Sequence, residues 1–156
     1  MDWLLLFHLL GALTLFAGAA VAAVGQLEAL RHRRRPSEVA LLLGLTRWGV
    51  LLIGIGALAT IIFGSWLVAD RPYWTFRQAW VDWSLVLWVA SMVAGAAGGR
   101  PARHARELAE RLAAAGDMPS EELDRAVRDR VSLALSAASG VFIVAIVVLM
   151  VWKPGV

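Results

Sequence analysis

The sequence predicts an all-α integral membrane protein: a four-helix transmembrane bundle with a cytosolic helical hairpin between spans 3 and 4. Three observations carry this. Hydrophobic residues fill 60% of the 156 positions and charged residues only 17%, which removes ordinary soluble folds from consideration. Four apolar runs, at about 3–27, 39–69, 79–98 and 131–152, each approach or exceed the roughly 20 residues that cross a bilayer core as a helix. The charges, 15 Lys plus Arg against 12 acids, fall almost entirely outside those runs, so they speak to topology before any polyanionic partner. The chain reads as a single membrane domain over 1–156, with 100–130 as its cytosolic segment.

The first run holds no charge between Asp2 and Glu28. Its C-terminal small residues invite comparison with a signal peptide, but an acid precedes the run and Arg31, Arg33, Arg34 and Arg35 follow it, the reverse of signal-peptide order. An uncleaved span with its N-terminus outside is the reading. At about 100° per residue, Gly11, Gly18, Ala22 and Gly25 share a narrow stripe with His8 on its margin. Small residues in such a stripe let another helix approach closely, and an imidazole gains no partner from lipid, so His8 is expected to face inward.

Pro36-Ser37-Glu38 is a helix-start signature with Ser37 as the cap, and the span behind it aligns Gly49, Gly56, Thr60 and Gly64 on one face. Arg47 reads as a side chain snorkelling to the interface. Asp70-Arg71-Pro72 ends this helix, and Tyr73 to Arg77 makes an interfacial loop. Trp3, Trp66, Trp74, Trp80, Trp83 and Trp152 all map to that side, as an aromatic belt does.

The third span places Ser84, Ser91, Gly95 and Gly98 on one face, with Asp82 nearly opposite as a first-turn acid. Gly99-Arg100-Pro101 is expected to end it. Seven arginines and seven acids then alternate over 100–130, with Gly116 as a stop and Pro119-Ser120-Glu121-Glu122 as a restart; a solvated hairpin accounts for them. In the fourth span, Ser132, Ser136, Ser139 and Gly140 form a small polar face suited to hydrogen bonds within the helix or to a neighbour. The small faces of all four spans are expected to meet in one compact bundle, with Gly11, Gly18, Gly56 and Gly95 at the closest contacts. Twelve arginines then lie on one side of the membrane against Arg71, Arg77 and Lys153 on the other, which puts both termini outside.

The absence of cysteine excludes disulfides, thiolate nucleophiles and sulfur clusters, so any redox chemistry would need a bound cofactor. No paired carboxylates, nucleophile and base, phosphate loop or metal-ligand spacing marks an enzyme. The lipid bilayer is the partner the composition names; a homo-oligomer is compatible with it, and nucleic acid is not indicated.

Phe7-His8-Leu9-Leu10-Gly11 with Phe16-Ala17-Gly18, Ala79-Trp80, and the closing Met150-Val151-Trp152-Lys153-Pro154-Gly155 resemble a bacterial family of predicted integral membrane proteins of unknown function, the DUF2269 family. That family is similar in turn to the copper-resistance D-like membrane domain and, more distantly, to the haem-containing bacterial protoporphyrinogen oxidase. The resemblance implies a bacterial inner-membrane location. It also implies haem b as a cofactor, with His8 as axial ligand. The oxidase has a lysine early in its third span; the matching position here is Ser84. A copper path would need clustered Met, His or Cys, whereas His8, Met92 and Met150 are scattered along the chain. Two functions follow as expectations. One is a non-enzymatic structural, accessory or small-solute membrane protein in which His8 bonds a hydroxyl or carbonyl of Ser84 or Thr60. The other is a haem b protein in which a cofactor sits in the outer third of the bilayer against His8, Ser84 and Met150, rimmed by Trp66, Trp80 and Trp83.

Overall fold

The computed structural model describes residues 3–31, 35–70 and 78–153, and within them the secondary structure is helical throughout. Five helices follow in order: α1 Trp3–Ala29, α2 Pro36–Asp70, α3 Ala79–Ala114, α4 Glu121–Val127 and α5 Arg130–Trp152. Four helices are long and apolar enough to cross a membrane, the last counted as Glu121–Trp152 with α4 and α5 together. The protein is an all-α integral membrane bundle. Asp2, the arginines at 33 and 34, the Arg71–Arg77 connection with Trp74, and the Pro154-Gly155 ending lie outside the described residues.

The spans associate as two pairs rather than as one symmetric bundle. In the first pair, α1 and α2 touch backbone to backbone. A Cβ built at Gly18 would lie 2.6 Å from the Gly49 carbonyl oxygen, and one at Gly56 would lie 2.4 Å from the Leu15 nitrogen. Only glycine permits this approach, and van der Waals packing of close backbones is what holds membrane helices together where lipid is as apolar as leucine. Gly44 and Gly54, off the stripe, have nothing within 4 Å of the same built atom.

The second pair, α3 with α5, is held by hydroxyls. Ser91 and Ser139 reciprocate: Ser139 Oγ donates to the Ser91 carbonyl at 3.0 Å, and Ser91 Oγ donates to the Ser139 carbonyl at 3.3 Å. Ser132 Oγ donates to the Gly98 carbonyl at 2.6 Å. Gly95 is at this contact, 3.2 Å from Ser139 Oγ by its built Cβ, and so belongs to a different seam from Gly11, Gly18 and Gly56. The small polar face of the fourth span therefore serves helix pairing.

At the arginine-rich end the expectation of a break at Gly99-Arg100-Pro101 fails: α3 runs through Pro101 to Ala114. An interior proline costs a helix about 3 kcal/mol. Here the residues beyond it are strong helix formers, and they have a surface to bury. Ala105 and Ala109 pack with Ala29, Val39, Leu43, Leu123 and Val127 in one cluster, with Leu108 and Leu112 against it. The hairpin is thus docked onto the ends of α1 and α2 rather than standing free in water.

Two polar contacts fasten that dock. Arg128 donates through Nη2 to the Leu30 carbonyl just past the end of α1. Asp117 accepts from the Ser37 backbone N–H at 2.8 Å through Oδ1 and from the Ser37 hydroxyl at 2.7 Å through Oδ2. Ser37 was expected to cap α2; it lies instead in the first turn, and an acid from eighty residues away satisfies its otherwise orphaned N–H. These two bonds hold the Asp117 carboxyl below the usual carboxylate range, the backbone bond contributing most. Gly116 (φ 128°) and Asp117 (φ 56°) make the left-handed turn that brings the carboxylate back. Ser120 and Asp129 cap α4 and α5 as the sequence suggests for the first of them.

Candidate functional site

At the opposite end the two pairs diverge around a cavity of about 440 Å³, walled by α1, α2, α3 and α5. His8, Ser84 and Met150, drawn from three helices, all line it. The volume lies within the roughly 300–1,000 Å³ of small-molecule sites, and the wall is almost wholly apolar with a few polar groups, the usual chemistry of such sites.

His8 is 9% exposed, and its Nδ1 lies 3.0 Å from the Thr60 carbonyl oxygen. A carbonyl only accepts, so Nδ1 carries a proton, and in the neutral ring Nε2 is left with its lone pair. Gly64, one turn beyond Thr60, makes room for the ring: a Cβ there would sit 2.9 Å from both Nδ1 and Cε1 of His8. The partner at Thr60 is the main-chain carbonyl, and the Thr60 hydroxyl donates separately to the Gly56 carbonyl at 2.7 Å. Ser84, also buried, donates to the Trp80 carbonyl at 2.7 Å and does not meet His8.

The tryptophan rim differs from the expected one. Trp80 and Trp88 line the cavity; Trp66 and Trp83 do not. Trp66 stands edge-on to Trp3 at 5.1 Å, and Trp83 is exposed as a belt residue should be. Trp80 is buried, with Nε1 donating to Gln78 Oε1 at 3.1 Å and the Lys153 ammonium 5.8 Å over its ring. Trp88 was not singled out by the sequence reading. Its indole Nε1–H is buried and makes no hydrogen bond. The signal was available in the spacing of Trp80, Ser84 and Trp88, each four residues apart on one face of α3. Lys153, at the left-handed end of α5, also reaches the cavity wall.

No group of three His, Cys, Asp or Glu side chains among the described residues is arranged to hold a metal ion. Asp82 is exposed in the first turn of α3, as its sequence position suggested, and does not line the cavity; Arg47 is exposed on α2.

A family profile described as "Predicted integral membrane protein (DUF2269)" matches residues 2–154. The chain belongs to that family. No curated protein and no solved structure matches the chain. The family's span takes in every residue of the cavity, from Leu5 on the first helix to Lys153 at the end of the last.

Proposed function

We propose that this family member is a non-enzymatic accessory protein of the bacterial plasma membrane, which holds a small lipophilic solute in the cavity between its two helix pairs. The observation that carries the reading is the convergence of His8, Ser84, Trp88 and Met150 from three helices on one apolar chamber. Isolated polar side chains at membrane depth are expensive and mark functional sites by default. Both termini face outward in this reading, supported by the arginines that crowd the α3–α4 end and the tryptophans that crowd the other. That orientation puts the cavity in the outer half of the bilayer. The test is extraction in lipid nanodiscs followed by native mass spectrometry. A discrete mass of bound small molecule, lost when Ala12→Trp fills the chamber, is expected; an empty chamber in wild type refutes the reading. A reporter fused after Val156 that is active only in the cytoplasm overturns the orientation.

A second reading keeps haem b, and with it the more distant similarity to the copper-resistance D-like domain and to protoporphyrinogen oxidase. One observation favours it. An imidazole whose Nδ1–H is held by a backbone carbonyl is oriented as metal-ligating histidines are, with Nε2 as the donor. His8 would be the axial ligand, and Met150 on α5 places a thioether on the same wall. Ser84 keeps only acceptor capacity, its proton being used within α3. When bound, haem would supply one-electron chemistry. Visible spectra of wild type and His8→Ala after expression with haem precursor decide it: no Soret band in wild type, or one indifferent to the substitution, ends this reading.

A further inference from the structure

We infer that the ligand of this cavity is a membrane-dissolved lipid with an uncharged hydroxyl head, which donates to Nε2 of His8; this rests on the cavity being a lipophilic site. Two observations carry it, one on where the cavity opens and one on what its wall leaves unbonded. Leu9 and Leu13 of α1 and Val147 and Val151 of α5 line the cavity and are at the same time exposed. α1 packs chiefly on α2, and α5 on α3. The chamber is therefore open along the gap between α1 and α5, on a side that faces acyl chains, and what fills it comes from the bilayer.

What the wall leaves unbonded is an acceptor. Its donors are in use: His8 Nδ1–H on the Thr60 carbonyl, the Thr60 hydroxyl on Gly56, the Ser84 hydroxyl on the Trp80 carbonyl, and the Trp80 indole on Gln78. The Lys153 ammonium lies over the Trp80 ring, and Trp88 Nε1 is sealed from the chamber. His8 Nε2 has no partner among the described residues and is not sealed in that way. The Nδ1–Cε1 edge of the ring is the one against Gly64, which leaves the Nε2 edge turned from α2. No acidic side chain lines the wall to balance an imidazolium, so the neutral ring is the form it supports, and Nε2 then presents a lone pair.

A hydroxyl answers this as other heads do not. It donates its proton to Nε2 and brings no charge to an apolar wall, where an unpaired charge is costly. An ionised carboxylate or a phosphodiester brings only acceptors and sets its charge against the lone pair. An ether or ester has no proton to donate. Ser65, the residue after Gly64, adds a hydroxyl to the wall that gives or takes a bond with any of these heads and so does not discriminate. The depth fits a head near the membrane boundary, for His8 lies five residues inside α1, about 8 Å at 1.5 Å per residue. Leu13 and Phe16, deeper on the same helix, line the path of the chain.

The experiment uses the full chain in phosphatidylcholine vesicles. Diazirine-bearing hexadecanol, its methyl ether and the matching palmitic acid are the photo-crosslinking probes, with the labelled peptides mapped. The alcohol is expected to label cavity residues of α1 and α5, to be competed by unlabelled hexadecanol, and to exceed both ether and acid about five- to tenfold, the worth of one hydrogen bond. His8→Ala should bring alcohol labelling down to the ether's level and leave the ether's unchanged. In wild type, nitrogen-15 NMR of labelled histidine should show the His8 Nε2 resonance move upfield on adding hexadecanol while Nδ1 stays protonated. Should His8→Ala lower both labels together, the histidine shapes the cavity and the Nε2 shift decides. If alcohol and ether label equally, if the acid labels more strongly, or if Nε2 does not respond, the hydroxyl assignment is wrong while the lipophilic site survives. If no probe labels the cavity, or if Ala12→Trp leaves labelling intact, the cavity reading falls as well.

Discussion

Replacing Gly56 by alanine adds one methyl group where the structure has no room for it. The built Cβ lies 2.4 Å from the Leu15 nitrogen, 2.7 Å from the Gly11 carbonyl oxygen and 2.8 Å from the Leu15 Cα. Ordinary contact begins near 3.4 Å, so the shortfall is about 1 Å, and every atom in the way is backbone that no rotamer change can move. The helices must part by a comparable distance. A gap of that size forfeits a quarter to a half of each dispersion contact along the seam, and overpacking a tight interior costs about 1–3 kcal/mol or more. Because α1 and α2 meet backbone to backbone over Gly11, Gly18, Gly49 and Gly56, the upper end, about 3 kcal/mol, is expected. Gly54→Ala is the matched control two residues away. Its Cβ meets nothing within 4 Å, and the change should be neutral or stabilise by up to about 1 kcal/mol through helix propensity. Both variants are compared with wild type by titration with sodium dodecyl sulfate in mixed micelles, followed by circular dichroism. Equal midpoints for Gly56→Ala and Gly54→Ala would refute the close seam.

Other expectations follow from the remaining contacts. Gly64→Ala should push the His8 ring off the Thr60 carbonyl, since its Cβ would lie 2.9 Å from the ring; nitrogen-15 NMR of labelled histidine should report loss of the fixed Nδ1–H form, and an unchanged spectrum refutes the contact. A double-mutant cycle with Ser91→Ala and Ser139→Ala should give a coupling of about 0.6 kcal/mol, typical of hydroxyl pairs between membrane helices, and additivity would show the α3–α5 seam to be held otherwise. The Asp117 carboxyl is held lower in the fold than in the unfolded chain. Its contribution is therefore complete above the ordinary aspartate range and lost as pH falls through the lowered folded value. Protection of the first amides of α2 from hydrogen exchange should weaken on acidification in wild type, and Asp117→Asn should flatten that dependence.

The helix positions and the faces they bury were legible along the chain, because both depend on local order. Apolar length in a medium without water dictates a helix, and a period of 3.6 residues places glycines and serines on one side whatever they meet. Gly11, Gly18, Gly56 and Gly95 are accordingly all at helix contacts, and His8 is buried. Which faces meet was a matter for tertiary structure. The stripes of α1 and α2 match each other as bare backbone, and those of α3 and α5 match as reciprocal hydroxyls, so four similar stripes resolve into two pairs with a chamber between them. The path of α3 through Pro101 was decided the same way. Proline disfavours a helix by a local amount, and the packing of Ala105 and Ala109 on residues from three other helices outweighs it. Lys153 entered the cavity wall only when the helices were set side by side, whereas Trp88 could have been placed on the face of Trp80 and Ser84 from its spacing, though not opposite a helix that the chain alone does not specify.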